Sequence, residues 1–311
     1  MTHFIVNPQS RSGKGILIWE EVEKQLIQKK VPYELHKTKC PGDAVRLARK
    51  VTTEAAADGK PVNVVGLGGD GTLCEVLNGV EVSDNVRVGY IPTGSGNDFG
   101  RSMHYPSNVL TMVERITDEP ETEPIDFGVM TLGSEPYREY RFAVSCGIGY
   151  DAAVCDNLLY TKWKRILNSI HLGKLTYVFI GIKQLIMMKT SDGYVEIDGK
   201  RIDLKKIAFV SCHVQPYEGG GFKFASKADC RDGKLELCVM AGGSRLELIP
   251  VLLNAMFGRS KDSNHVHHYS CKSAKIHLET PCFVHTDGEV HPRQTDICVR
   301  DGGQKINFIK V

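Results

Sequence analysis

The sequence predicts two domains of different class. Residues 1–127 form an α/β domain on a parallel sheet, and residues 128–302 form a mainly antiparallel β domain, with segment 303–311 free to return to the first. Two observations carry this. Apolar strand-like runs alternate with helical runs as far as Asp126, which implies a parallel sheet with both faces covered. Beyond that point short alternating runs are separated by Asp198-Gly199 and Asp232-Gly233, and Asp-Gly between such runs signals a hairpin. A third observation concerns function. Three glycine-rich turns follow strands of the first domain, where ligands bind in parallel sheets.

In order along the first domain, Phe4–Val6 is a short apolar strand. A helix follows over Ile16–Lys30, with Ile16, Leu17, Val22, Leu26 and Ile27 on one side. Tyr33–His36 alternates as a strand. Asp43–Ala57 is a second helix with Asp43 as its cap. Val62–Leu67 reads as a buried strand, Leu73–Val80 as a helix and Val86–Ile91 as a strand. In the second domain the predicted strands are Tyr140–Ser145, Tyr194–Ile197, Arg201–Ser211, Leu235–Met240, Ala274–Leu278 and Phe283–His285. Two helical insertions, Asp156–Lys189 and Ser244–Phe257, interrupt them.

Composition excludes several classes. The chain has 311 residues, 41% hydrophobic and 24% charged, with a net charge of +2, so nothing argues for nucleic-acid binding. Its 10 cysteines contain no C-x-x-C pair, which speaks against a disulfide framework or structural zinc and for free thiols in a reducing cytoplasm. No signal-peptide pattern opens the chain, and no apolar run approaches the ~20 residues of a membrane span. A protein that is cytoplasmic or held at a membrane surface is expected. A homodimer stays open.

The turn Gly66-Leu67-Gly68-Gly69-Asp70-Gly71-Thr72 carries the chemistry. Glycine lets a ligand approach bare backbone N–H groups, and a helix N-terminus behind them favours negative charge. It formally matches G-x-G-x-x-G, so a nicotinamide-dependent oxidoreductase competes. That motif expects an acid at the end of the next strand. Here the strand ends in Pro92-Thr93-Gly94-Ser95-Gly96-Asn97-Asp98, a second hydroxyl-rich turn. A third turn, Asn7-Pro8-Gln9-Ser10-Arg11-Ser12-Gly13-Lys14-Gly15, lacks the spacing and the Ser or Thr of a P-loop. Alone it reads as a surface loop. Together the three turns suggest a nucleotide triphosphate along the sheet edge. Asp70 calls for a cation between itself and phosphate.

Gly68-Gly69-Asp70-Gly71-Thr72 with Glu75 and Asn78-Gly79, then Pro92–Phe99, Asp126-Phe127-Gly128, Gly147–Asp151, Gly219–Gly221, Asp232-Gly233 and Asp287-Gly288-Glu289, resemble the diacylglycerol kinase catalytic-domain family in order along nearly the whole chain. Ser95 stands where the family usually has Thr, and Cys74 where Asn is common. The resemblance implies the two-domain fold shared by NAD kinases and diacylglycerol kinases, and ATP- and Mg²⁺-dependent transfer of phosphate to a lipid hydroxyl, with diacylglycerol the default acceptor. Another lipid alcohol, or NAD, is the nearer alternative. It places ATP between the domains, at Asn7, Pro8, Gln9, Ser10, Arg11, Thr38, Gly68, Gly69, Asp70, Gly71, Thr72, Glu75, Thr93, Gly94, Ser95 and Asn97. It implies Mg²⁺ near Asp70, with Asp98 and Asp126 in one acidic network, although Asp98 also reads as the cap of a helix starting near Phe99. Glu289 becomes the general base. If that stretch is extended, Asp287 faces the same way and raises its pKa. A structural Mg²⁺ is implied at Asp232, with backbone ligands at Asp229 and Lys234, where the plain reading is a hairpin turn.

Segment 156–189 holds Lys162, Lys164, Arg165, Lys174, Lys183 and Lys189 interleaved with Trp163 and aliphatic residues. This suits peripheral contact with an inner membrane surface and a lipid substrate there. A solvated helix packed on the sheet is the plainer reading. His265, His267 and His268 read as a flexible loop.

Overall fold

The computed structural model describes residues 1–160, 181, 185 and 187–311. They fall into two compact units, Met1–Asp126 with Gly303–Val311, and Phe127–Gly302.

The first unit is a six-stranded sheet. In chain order its elements are β1 (Thr2–Val6), α1 (Ser10–Gly13), α2 (Gly15–Gln28), β2 (Tyr33–Lys37), α3 (Asp43–Asp58), β3 (Val62–Gly68), α4 (Asp70–Gly79), β4 (Val86–Pro92), α5 (Asp98–Ser102), α6 (Val109–Thr117) and β5 (Thr122–Ile125). The strand order is β2-β1-β3-β4-β16-β5, where β16 is Ile306–Ile309. All pairs are parallel except β16 with β5. The apolar runs of β1, β3 and β4 are buried on both faces because helices cover them.

Helix α2 differs from its predicted face. Leu17 is 56% and Ile27 63% exposed, whereas Trp19 is 1% exposed. Trp19, Val22 and Leu26 are the i, i+3, i+7 set that meets the sheet. Trp19 packs on Phe4 and Tyr33. Asp43 is not the cap of α3 either. Gly42 occupies that position at φ +85°, and Asp43 turns back to accept the N–H groups of Lys39 (2.7 Å) and Cys40 (3.3 Å).

The second unit is a ten-stranded antiparallel sheet that folds over itself. Its strands are β6 (Gly128–Leu132), β7 (Glu135–Phe142), β8 (Ser145–Gly149), β9 (Ser191–Ile197), β10 (Lys200–Ile207), β11 (Phe209–His213), β12 (Leu235–Met240), β13 (Val266–Cys271), β14 (Ser273–Thr286) and β15 (Glu289–Asp301), with α7 (Tyr150–Tyr160) and α8 (Arg245–Met256). The main path is β13-β12-β11-β8-β14-β15-β6-β7, and β9 with β10 branches from β14. The long β14 changes neighbour along its length, pairing with β9 through Ala274–Leu278 and with β8 through Val284–Thr286.

Three predicted segments are reshaped here. The run Arg201–Ser211 is two strands: β10 follows β9, β11 joins β8 and β12, and Lys206 sits at φ +52° at the break. The run Tyr140–Ser145 likewise breaks after Phe142. The histidines predicted as a flexible loop lie largely on β13, where His268 is held by Asp262 (2.9 Å) and the Phe224 carbonyl (2.8 Å). The first helical insertion begins at Tyr150, six residues earlier than expected. Most of the basic segment 156–189 lies outside the described residues. Among the described residues no helix is long and apolar enough to cross a membrane.

Replacing Trp19 by Ala should cost about 3–5 kcal/mol, whereas Leu17→Ala should stay within about 0.5 kcal/mol. Urea unfolding of the two variants checks the corrected face of α2.

Candidate active site

The three polar turns of the first unit follow β1, β3 and β4, and side chains tie them together. Asn7 donates through Nδ2 to Thr72 Oγ1 (3.1 Å). The hydroxyls of Ser10 and Thr93 share a buried hydrogen bond of 2.8 Å. The Thr93 N–H donates to the Gly68 carbonyl (2.7 Å). A Cβ on Gly94 would lie 2.7 Å from Gly69 Cα, and one on Gly68 would lie 2.2 Å from Thr72 Oγ1. Gly94 is therefore required by the close approach of neighbouring turns, and Gly68 by the return of its own turn against Thr72. Ser10, Thr72 and Thr93 are all buried, so their hydroxyls hold the loops rather than face solvent.

Asp70 opens α4, three residues before the predicted helix start. Its carboxylate accepts the N–H of Asp98 (3.1 Å) and of Phe99 (3.4 Å), which joins the second turn to the start of α5. Burial pushes the Asp70 carboxyl above its ordinary range, against these backbone donors. Asp98 is the first residue of α5 and not its cap, which is Asn97 in the left-handed conformation. The Asp98 carboxylate is paired with Arg101, and the buried Asp126 carboxylate with Lys305 at 3.0 Å. Glu75 accepts the N–H groups of Gly42 (2.9 Å) and Ala44 (3.0 Å), so it caps α3. Thr38 follows β2 and donates its N–H to the Val6 carbonyl.

A groove of about 370 Å³ runs along the turn that follows β4. Arg11, Thr93, Gly94, Ser95, Asn97 and Arg101 line one part of it, and Tyr105 and Met112 the apolar part. Glycine backbone beside two guanidinium groups suits an anion such as phosphate. A hard dication fits the carboxylate oxygens of Asp70.

In the second unit, Asp287 and Gly288 are the two-residue turn between β14 and β15, at φ +47° and +85°. The stretch is not extended, so the alternation expected to align Asp287 with Glu289 does not apply. Instead the Asp287 carboxylate accepts three backbone N–H groups, from Ala143 (2.8 Å), Val144 (2.9 Å) and Ser145 (3.0 Å). That is why the predicted strand 140–145 breaks there. Glu289 is exposed at the first position of β15.

Sequence reasoning missed what stands behind this turn. Gly288 donates its N–H to His285 Nδ1 (3.3 Å), and His285 Nε2 meets Asp151 Oδ2 (3.2 Å). Gly288 can only donate, so Nδ1 accepts and the His285 proton sits on Nε2, toward Asp151. Burial opposes charge on His285, but its hydrogen bond to Asp151 together with the negative charges of Asp151, Glu218 and Asp287 raises its pKa. A Cβ on Gly147 would lie 1.9 Å from Asp151 Oδ2. The run Gly147–Asp151 was legible as a motif, but its partner lies 134 residues away.

The turn at Asp229–Lys234 is exposed. Asp229 accepts the Arg231 N–H (3.1 Å), and Asp232 accepts the Lys234 N–H (3.0 Å). The Asp229 carbonyl takes the Asp232 N–H at 3.4 Å. The ligands predicted for a structural cation thus share one turn, partly committed to it.

Residues 1–130 match the diacylglycerol kinase catalytic domain, and residues 144–298 match the YegS C-terminal NAD kinase beta sandwich-like domain. The chain is 25% identical over 292 residues to a Bacillus subtilis (strain 168) protein named "Putative lipid kinase YtlR", covering 93% of this chain and 94% of that one. It is 27% identical over 290 residues to a diacylglycerol kinase of the same strain, covering 92% and 88%. A crystal structure of a Bacillus anthracis str. Sterne diacylglycerol kinase shares the fold, with a TM-score of 0.69 at 21% identity, over 100% of this chain and 96% of that one.

Asp287→Ala strips an acceptor from three backbone N–H groups and should lower stability by about 2–4 kcal/mol. Asp287→Asn, which keeps one acceptor oxygen, should cost less. Denaturant melts of the pair measure the difference.

Proposed function

The chain belongs to the diacylglycerol kinase catalytic-domain family, and on that premise we propose that it moves the γ-phosphate of ATP to a lipid hydroxyl, with diacylglycerol as acceptor. One observation carries the phosphate half of this reading. Three glycine turns are fastened to one another at the strand ends of a single sheet, beside Asp70 at a helix N-terminus.

In this reading the turns around Asn7–Arg11, Gly68–Thr72 and Thr93–Asn97 hold the phosphates through backbone N–H groups, with Arg11 and Arg101 adding positive charge. Their buried hydroxyls keep the turns in place. Asp70 would hold Mg²⁺ through its carboxylate. Bound Mg²⁺ supplies charge neutralisation at the phosphate oxygens. Asp98 and Asp126 shape the acidic surroundings, each tempered by its own cation. Glu289 accepts the proton of the lipid hydroxyl as it attacks phosphorus. Asp287 and the Asp151–His285 pair position the turn that carries Glu289.

The basic segment 156–189 is proposed, on its sequence alone, as the part that meets the membrane surface. The family match sets aside the oxidoreductase alternative. Lipid alcohols other than diacylglycerol remain the second reading, because the relative named as a lipid kinase matches over as much of the chain as the named diacylglycerol kinase does.

Glu289→Gln should abolish transfer of labelled γ-phosphate to diacylglycerol in mixed micelles while ATP binding persists. Unchanged turnover in that variant overturns the role of Glu289. A panel of sphingoid bases, other lipid alcohols and NAD, run with the unaltered protein, identifies the acceptor. Label on NAD alone overturns the lipid assignment.

A further inference from the structure

The outer strands of the first unit carry a group of side chains that the kinase reading does not use. Strands β1 and β2 pair in parallel, with His3 opposite Glu34 and Ile5 opposite His36. Glu34 and His36 are two residues apart on one strand, so they share a face. There His3 Nδ1 lies 3.2 Å from His36 Nε2 and 3.5 Å from Glu34 Oε2. His36 Nε2 lies 3.8 Å from the same oxygen. The circle through these three atoms has a radius of about 2.0 Å, which is the usual zinc–nitrogen and zinc–oxygen bond length. A single ion can therefore reach all three atoms with little movement of the backbone.

We propose that His3, His36 and Glu34 form a binding site for a borderline divalent transition ion of the zinc type. Two imidazoles and one carboxylate suit such an ion and not Mg²⁺, which asks for six oxygens. The imidazole side chains are 14% and 19% exposed and Glu34 is 54% exposed, so a fourth position opens to water. The proton balance also works. Today one imidazole N–H donates to the other ring. When an ion enters, that proton moves to the outer nitrogen of its own ring, and both inner nitrogens present lone pairs. Among the described residues no hydrogen bond fixes either outer nitrogen. Burial lowers both imidazole pKa values, which favours the neutral form. The other charged groups facing them are the Met1 amine, Lys50 and Glu54.

The second cluster of this kind, Asp151, Glu218 and His285, lacks that freedom. Gly288 occupies His285 Nδ1, so the proton on Nε2 has nowhere to go. The site at His3 would clip the edge strand β2 to β1.

The test uses the full chain, freed of metal and titrated with Co²⁺ and then Zn²⁺. One equivalent of Co²⁺ should give the visible bands of a four-coordinate nitrogen–oxygen site, Zn²⁺ should displace it, and Zn²⁺ should raise Tm. Millimolar Mg²⁺ should do neither. His3→Ala, His36→Ala and Glu34→Gln should each weaken binding at least about tenfold, while the metal-free variants melt close to the parent. Undiminished binding in both histidine variants, or sulfur-to-cobalt charge-transfer bands, would place the ion on the cysteines and overturn the proposal. Absence of any saturable Co²⁺ binding by the parent overturns it too. None of these readouts depends on phosphoryl transfer.

Discussion

The approach of Gly94 to Gly69 is the constraint on which the first unit's site depends. Two turns from neighbouring strands run so close that Gly94 cannot carry a side chain, whose Cβ would lie 2.7 Å from Gly69 Cα. Glycine costs conformational entropy wherever the chain must order it, and here that cost is offset by hydrogen bonds from one turn to the next. Thr93 reaches Gly68, Ser10 reaches Thr93 and Asn7 reaches Thr72. The outcome is a set of three turns braced against one another, and preorganised groups stabilise charge better than mobile ones.

The second unit solves a similar problem by other means. Its Glu289 stands next to a two-residue turn with two positive φ angles, a strained element that needs support. Asp287 supplies it by taking three N–H groups from the break between β7 and β8, and His285 supplies it by taking the N–H of Gly288. A carboxylate with three backbone donors is well satisfied. Asp287 therefore acts as an anchor for the turn that carries Glu289.

Much of this was legible. Strand and helix alternation, the hairpin signals and the three turns depend on local periodicity and on glycine, which a sequence displays directly. The misplaced face of α2 shows the limit. Leu17 and Ile27 are apolar but off the Trp19–Val22–Leu26 line, and only the sheet decides which line is buried. Roles that depend on distant partners were hidden. Glu75 looked like part of a nucleotide loop, yet it caps a helix 31 to 33 residues away. Ser10 and Thr93 looked like phosphate ligands, yet they bond each other across 83 residues. His285 gave no signal, because its partner Asp151 lies 134 residues off.

The acidic residues of the first unit differ in what already answers their charge, and that difference ranks them. Asp98 has Arg101 and Asp126 has Lys305. Asp70 accepts the N–H groups of Asp98 and Phe99, has the Tyr90 hydroxyl beside it and feels the charge of Arg101, yet burial still pushes its carboxyl up. Amide dipoles compensate a buried carboxylate only partly. The remainder must come from a proton or from a cation. A proton would leave Asp70 neutral and of little use beside phosphate. A dication lets it stay charged and brings phosphate oxygens toward it rather than repelling them. The carboxylate that first looked out of place in a phosphate turn is thus the position to which the proposed Mg²⁺ is assigned, since a dication there would answer its charge and that of phosphate together.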